Sequence, residues 1–252
     1  MEDVITEAAP PSRFLEEDLN IFTPPSPSLP SPFLIFPLQQ QPLKPKLFII
    51  ALSPSSLSLF HSHLSPQTLT ASLILPEHPL SLPDNTAHIH SLSPSTLLAA
   101  LRCPVSPDRA HAVAKLLLGD QIQPESVIVL DSIKAPNHRG RLSSDETLAF
   151  KLESSSERKR SDGERLLEGL EYYPSGSVVD GLGAALLARC EFLNLRASLC
   201  VSWPHFDTSV VLLLKDLLRC GALKGFDFGS SDEGLKFGTR RKDSVFQSEL
   251  YI

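Results

Sequence analysis

No apolar run in this chain approaches the roughly 20 residues that a helix needs to cross a bilayer. Stretches such as VVLLL at 210–214 stop far short of that length. A positive balance is missing too: 23 lysines and arginines stand against 29 aspartates and glutamates, for a formal net charge of −6. Nothing therefore supplies the dense positive field that nucleic acid or an anionic lipid surface demands, and neither is an expected partner. Cysteine is sparse. Cys103, Cys190, Cys200 and Cys220 lie far apart, with neither a CxxC motif nor a disulfide framework among them. Three of the four fall in apolar segments, where a free thiol behaves as a small hydrophobe. The opening stretch, MEDVITEAAPPSRFLEEDLN, is acidic and lacks the cationic start and continuous apolar core of a secretory signal. These absences point to a reducing cytoplasmic or nuclear compartment.

The signatures of several fold and enzyme classes are also lacking. No internal repeat of 20 to 50 residues is present, so solenoid and propeller readings fall away. No Gly-x-Ser-x-Gly elbow occurs, and Ser-Gly-Ser at 175–177 precedes a predicted helix without forming one. The run DGLGAAL at 180–186 suggests a dinucleotide loop, but its third glycine is missing and no strong strand precedes it. Helix packing explains it better. The small residues Gly181, Gly183, Ala184, Ala185 and Ala188 let a helix approach a sheet closely.

What is abundant is proline near the start and apolar runs after it. At 252 residues with 42% hydrophobic content, the chain can bury one sizeable core. Ten of the 22 prolines lie within the first 45 residues, concentrated in TPPSPSLPSPFLIFP. Each removes a backbone donor and biases its predecessor away from helix, so residues 1–45 read as an extended or disordered arm. Within the arm, Phe33, Leu34, Ile35 and Phe36 are too apolar for a solvated linker and read as an edge strand against the folded body.

The run KLFIIAL at 46–52, bounded by Pro45 and Pro54, has the signature of a strand buried on both faces, and ASLIL at 71–75 and SVIVL at 126–130 repeat it. DRAHAVAKLLL at 108–118 reads as a helix, with Asp108 placed to cap it and Gly119 to end it. Further on, 178–192 is predicted as a helix, 195–202 as a strand and 206–218 as a helix stopped by Gly221. Alternating helices and doubly buried strands imply an α/β layered domain over 46–224, with a central, mostly parallel sheet flanked by helices. The segment ESSSERKRSDGER at 153–165 contains no apolar residue and reads as an exposed charged loop, removable without loss of fold. From 225 to 252, glycines every few residues and no sustained period mark a flexible tail.

Candidate chemical sites are outweighed by plainer readings. The pairs His61/His63 and His88/His90 have the spacing that puts two imidazoles on one face of a strand for a metal, but their flanks look loop-like and no Asp, Glu or Cys sits at ligand spacing. His205 and Asp207, beside the only tryptophan, Trp203, could reach a cleft, yet a strand end followed by an Asp helix cap is the commoner meaning. The basic triplets at 158–160 and 240–242 read as solvated surface rather than nuclear import signals. No catalytic residue, metal or cofactor is assigned.

The sequence given closes on Leu250, Tyr251 and Ile252: hydrophobic, tyrosine, any residue. Proteasome activators and certain assembly chaperones insert such a tripeptide between ring subunits. The terminal carboxylate could pair with a pocket cation, Tyr251 presents a rigid amphipathic ring, and Leu250 can be buried. Upstream, GSVVDGLGAALLARCEFLNLRASLCV at 176–201 resembles the helix-then-strand unit of the proteasome assembly chaperone 1 family, departing from it at Arg196, where the family tends to carry proline. The resemblance extends loosely to the end of the chain and leaves the arm and 54–110 unmatched. It implies a non-enzymatic α/β protein that heterodimerises with a second assembly chaperone and escorts α-type subunits as the 20S core ring is built. A small-molecule enzyme of the nucleoside phosphorylase-like α/β type is the alternative, and a converging polar pocket would favour it.

Overall fold

The computed structural model describes residues 30–37, 42–78, 87–161 and 163–228. In chain order the elements are β1 (Phe33–Ile35), β2 (Leu47–Ala51), α1 (Pro54–Leu59), β3 (Leu69–Ile74), β4 (Ala87–Ser93), β5 (Thr96–Leu101), α2 (Pro107–Leu117), β6 (Ser126–Ser132), β7 (Leu148–Glu153), α3 (Ser155–Arg158), β8 (Glu171–Tyr172), α4 (Gly181–Phe192), β9 (Arg196–Trp203) and α5 (Thr208–Cys220). The strands form one sheet in the order β1-β3-β4-β5-β2-β6-β9-β7-β8.

The centre of the sheet follows from strands that have no polar face. Every residue of β2 is buried. Phe48 and Ile50 point into one apolar layer, while Leu47, Ile49 and Ala51 point into the other. A strand apolar on both sides must be covered on both, and parallel strands linked by helical crossovers supply that cover. Accordingly β2 pairs parallel with β5 and β6, and β6 pairs parallel with β9. Helices α2 and α4 cover one face, and α1 and α5 the other. Antiparallel strands extend this parallel centre on both sides, through β4, β3 and β1 at one end and β7 at the other. The α/β layered class expected from the sequence is the observed one.

Several predicted boundaries move for identifiable reasons. Ser106, not Asp108, occupies the N-cap of α2, with Pro107 at the first helical position and Asp108 in the first turn. The helix predicted from 178 begins at Gly181, which takes a left-handed φ of +64° that glycine tolerates best. The edge-strand reading of the arm fits β1, which pairs antiparallel with β3 while Leu34 packs on the core. Leu43 also bridges to Ile122, so the described chain joins the body before residue 46. At the other end Phe228 is buried against Phe60, past the expected boundary at 224. Residues 229–252 lie outside the described residues, as do 1–29.

The reading of 153–165 as an exposed loop is corrected. Glu153, Ser154 and Glu157 are all buried, Glu157 completely. Ser154 caps the short helix α3 and also accepts from the amide of Ala197 on β9. The Glu157 carboxylate accepts from the Leu166 amide at 2.6 Å and from Arg196 Nε at 2.9 Å. Glu153 forms an ion pair with Lys151 Nζ at 2.7 Å and accepts from the Tyr172 hydroxyl at 2.6 Å. The segment has no apolar residue to bury, so it is held by buried charges whose partners come from other elements. Apart from Ser155, the exposed residues described in it are Arg158 to Ser161 and Gly163 to Glu164.

These contacts set a contrast between neighbouring charges. Glu157→Ala removes the acceptor of a buried amide and of Arg196, and should lower unfolding free energy by about 2 to 4 kcal/mol in urea titrations. Arg160→Ala, losing only a 3.7 Å surface pair with Glu164, should stay within about 0.5 kcal/mol of the parent.

Glu153 carries a pH signature. Burial pushes its carboxyl up, but the bonds from Lys151 and Tyr172, with the nearby charges of Lys151 and Arg165, outweigh burial and hold it below the ordinary value of 4.5. A carboxyl depressed on folding contributes stability that is present above about pH 4.5 and lost as pH falls through its folded value. Stability measured from pH 6 downward should drop in that window, and Glu153→Gln should flatten the drop.

Candidate functional site

In a parallel α/β sheet the carboxyl ends of the strands are where ligands gather, because strand ends and helix N-termini meet there. Here the ends of β6 and β9 bring Asp131, Ser132, Trp203 and His205 to one crest, with the start of α4 beside them. Burial pushes the Asp131 carboxyl above the usual carboxylate range, opposed by a bond from the Ser132 amide and by the charge of Lys134. Its Oδ1 accepts from that amide at 2.7 Å. Its Oδ2 lies against Gly183, where a Cβ would come within 2.6 Å. The close approach expected of the small-residue helix is thus real at Gly183, and the group it admits is a carboxylate.

The remaining polar groups bind one another across the junctions. Asp180, just before α4, leaves the helix amides alone and instead takes Lys134 Nζ at 2.5 Å and Asn137 Nδ2 at 2.9 Å. Those two bonds, Lys134 first, hold the Asp180 carboxyl below its ordinary value. Ser132 Oγ lies 2.8 Å from His205 Nδ1, and Ser55 Oγ bonds to the His205 carbonyl. Asp207 caps α5, its Oδ1 accepting from the Ser209 amide and hydroxyl. The cap reading of Asp207 therefore fits. Ser132 and His205 alone resemble part of a nucleophile and base pair, but the carboxylate two residues beyond His205 has one oxygen committed to the helix.

The other sequence candidates scatter. His61 and His63 occupy a 3-10 turn, while His88 and His90 sit on β4, so the loop-like reading of the second pair is corrected. Among the described residues no three His, Cys, Asp or Glu side chains group to hold a metal. Cys103, Cys190 and Cys200 are buried free thiols, Cys200 pushed up to about 12, chiefly by burial. In Ser-Gly-Ser, Ser177 accepts from the Arg139 amide. Arg158 Nε donates to the Glu153 carbonyl, and the triplet at 240–242 falls outside the described residues. So do Leu250, Tyr251 and Ile252. The sequence missed Asp131 and Lys134 as a cluster with Asp180, although an Asp-Ser pair closing the SVIVL strand marks a carboxyl end.

A different kind of site is offered by apolar side chains left in solvent. Phe192 at the end of α4 is 76% exposed, with the Arg189 guanidinium over its ring. Val178, Leu193 and, on α5, Leu212 are also exposed. Apolar groups of this size on a surface mark contact positions more often than chemistry.

No protein-family model matches the chain, and no curated protein matches it by sequence. Solved structures do share its architecture. Pyrococcus furiosus PbaA, an archaeal homologue of proteasome-assembly chaperone, aligns with a TM-score of 0.59 at 15% identity over 84% of this chain and 88% of that one. Pyrococcus furiosus PbaB, an archaeal proteasome activator, aligns at 0.57 and 14% identity over 83% and 96%. A Thermoplasma acidophilum protein of unknown function aligns at 0.59 and 14% identity over 77% and 84%. At these identities the likeness is one of fold.

The Asp131–Gly183 contact yields a change of sign. Gly183→Ala gains up to about 1 kcal/mol of helix propensity, but the added methyl collides with the carboxylate, so the single variant should lose about 1 to 2 kcal/mol net. In an Asp131→Ala background the same substitution should stabilise. Thermal unfolding of the four proteins measures it, and equal effects in both backgrounds would show that the contact is slack.

Proposed function

We propose that this chain is a non-enzymatic proteasome-assembly chaperone, one half of a heterodimer with a second assembly chaperone, which escorts α-type subunits while the 20S core ring is built. The observation that carries the reading is the fold likeness, across most of both chains, to PbaA, an archaeal homologue of proteasome-assembly chaperone, and PbaB, an archaeal proteasome activator. Two further features support it independently of the fold. The unit at 176–201 resembles proteasome assembly chaperone 1, and its helix and strand are α4 and β9. Leu250, Tyr251 and Ile252 have the composition of a ring-docking tripeptide.

The energetics require the body and the tail to act together. Burying Leu250 gives about 1.5 to 3 kcal/mol, and a charge-assisted bond from the carboxylate about as much again. Association costs about 4 to 15 kcal/mol, so the tripeptide by itself binds weakly. Tethered to a body that already touches the ring, it meets its pocket at an effective concentration of about millimolar. The body's contribution falls to exposed apolar positions such as Phe192 and Leu212, which a partner or ring subunit would cover. The compartment of action is cytoplasmic or nuclear.

Deleting 250–252 should leave the melting temperature unchanged and weaken binding to α-ring subunits, measured by direct titration with the partner chaperone present. Residues appended after Ile252 should weaken it equally, because they displace the carboxylate while keeping every side chain. Undiminished binding by the deletion would remove the tripeptide from the reading. Failure of affinity purification to recover either ring subunits or a second chaperone would remove the reading itself.

A further inference from the structure

Between Glu157 and Leu166 the chain is tied at its foot and open at its tip. The Glu157 carboxylate accepts from the Leu166 amide at 2.6 Å and from Arg196 Nε at 2.9 Å, which brings the two ends of the stretch together. Beyond that tie Arg158, Lys159, Arg160, Ser161, Gly163 and Glu164 are exposed. The Ser161 carbonyl accepts from the Glu164 amide at 3.2 Å, and Gly163 takes a φ of +93°. Ser161 therefore opens a tight turn that closes on Glu164.

The serines of this stretch differ in what holds them. Ser154 is buried, and its hydroxyl donates to the Leu195 carbonyl at 2.8 Å. Ser155 Oγ donates to the Glu191 carboxylate, and Ser156 Oγ to the Asn194 carbonyl at 3.0 Å. Those three bonds fasten α3 to the end of α4 and the turn after it. Ser161 stands apart: it is exposed, lies beyond α3, and directly follows the cations Arg158, Lys159 and Arg160. Arg158 Nε donates to the Glu153 carbonyl at 3.2 Å, but a guanidinium has five N–H donors, and one such bond leaves its charge in place. Arg160 meets Glu164 at 3.7 Å in a surface pair, which is held weakly.

We propose that Ser161 is a phosphorylation site for a protein kinase with an acidic substrate cleft, which takes Arg158, Lys159 and Arg160 ahead of the accepting hydroxyl. Kinases select substrates by such charge patterns. In the transfer Ser161 Oγ attacks the γ-phosphorus of ATP, the bond from that phosphorus to the bridging oxygen breaks, and ADP leaves. The hydroxyl proton passes to the kinase's catalytic aspartate. A kinase cleft takes the residues around the acceptor extended, so the end of α3 and the tip must open. The bonds that open, such as Arg160 amide to Glu157 carbonyl and Glu164 amide to Ser161 carbonyl, lie outside the Glu157 tie. Asp162 and Glu164 after the serine suit the opposite class of kinase, one with a basic cleft. Residues 158–165, however, carry four basic side chains against two acidic ones, and that excess repels a basic cleft. At pH 7 the phosphate adds a charge of about −1.5 to −2, which cancels the excess. It also lands in the turn that carries Glu164, so phosphate and carboxylate repel while Arg160 gains a stronger partner. The tip loosens and the foot holds.

Incubation of the folded full chain with MgATP and the catalytic subunit of cyclic-AMP-dependent protein kinase tests the assignment, with peptide mass spectrometry to locate the phosphate. Ser161 should be the principal acceptor. Ser161→Ala should lose most of the incorporation, and Ser161→Thr should carry the phosphate on the threonine. Lys159→Ala combined with Arg160→Ala, both at exposed positions, should slow labelling about tenfold. In amide NMR spectra of the product the Glu164 signal should move while that of Leu166, held by Glu157, stays in place. Labelling confined to heat-denatured chain overturns the proposal, as does phosphate placed chiefly on another serine, or a double variant labelled as fast as the parent. Faster labelling of Ser161 by casein kinase II, whose cleft is basic, overturns it too.

Discussion

Everything in this fold depends on the central parallel strands having no side that can face water. Phe48 and Ile50 on β2, Val127 and Val129 on β6, and Leu199 on β9 occupy one apolar layer, while Ile49, Ile128, Leu130 and Cys200 occupy the other. Each such side chain stabilises the fold by about 1.5 to 3 kcal/mol only when covered. Two helical layers are therefore obligatory, and the crossovers that deliver them place β2, β5, β6 and β9 parallel. From that single requirement follow the crest, the close approach of α4 at Gly183, and the desolvation of Asp131 beneath it.

A second constraint operates where the sheet leaves its apolar centre. Strand β7 joins β9 antiparallel, and its buried face carries Lys151 and Glu153 rather than hydrophobes. Buried ions stabilise little when every partner is present, but losing one partner costs several kcal/mol. They therefore act as a register lock. A slip of one residue would turn Lys151 and Glu153 to the other face of the sheet and separate both from Leu167 and Tyr172. Arg196, the position where this chain departs from the proline of the chaperone family it resembles, extends the lock to Glu157. A proline there could make no such bond.

The part of the fold legible in the sequence was the part encoded by apolar runs. KLFIIAL and SVIVL became β2 and β6 almost to the residue, whereas ASLIL, read in the same way, became β3 with only alternate residues buried, and the fully buried TLLAAL of β5 was not read as a strand at all. The edges were not legible in this way. AHIHSLS places histidine and serine on alternate positions of β4, and its strand character rests on pairing with both β3 and β5. The charged stretch after 152 reads as solvated for a similar reason: its binding partners Leu166, Tyr172 and Arg196 are supplied by the fold. Asp131 could be noticed as a strand terminus, but its contact with Gly183, 52 positions along the numbering, is a product of the layers.

The crest poses the question of what an α/β scaffold does when its usual ligand position is occupied by its own side chains. Asp180 is held by Lys134 and Asn137, Ser132 by His205, and Asp207 by the first turn of α5. Opening such a site for a substrate would break several of these bonds at once, each worth about 0.5 to 1.5 kcal/mol, or up to about 3 where a charge is involved. The same bonds fix the junctions between strands and helices and so stiffen the body. Stiffness is of use to a protein that binds by its outer surface, since a preorganised face spends less entropy on association. Exposed apolar groups such as Phe192 and Leu212 are then presented on rigid helices. On this reading the polar crest serves recognition indirectly, by holding still the helices that carry it.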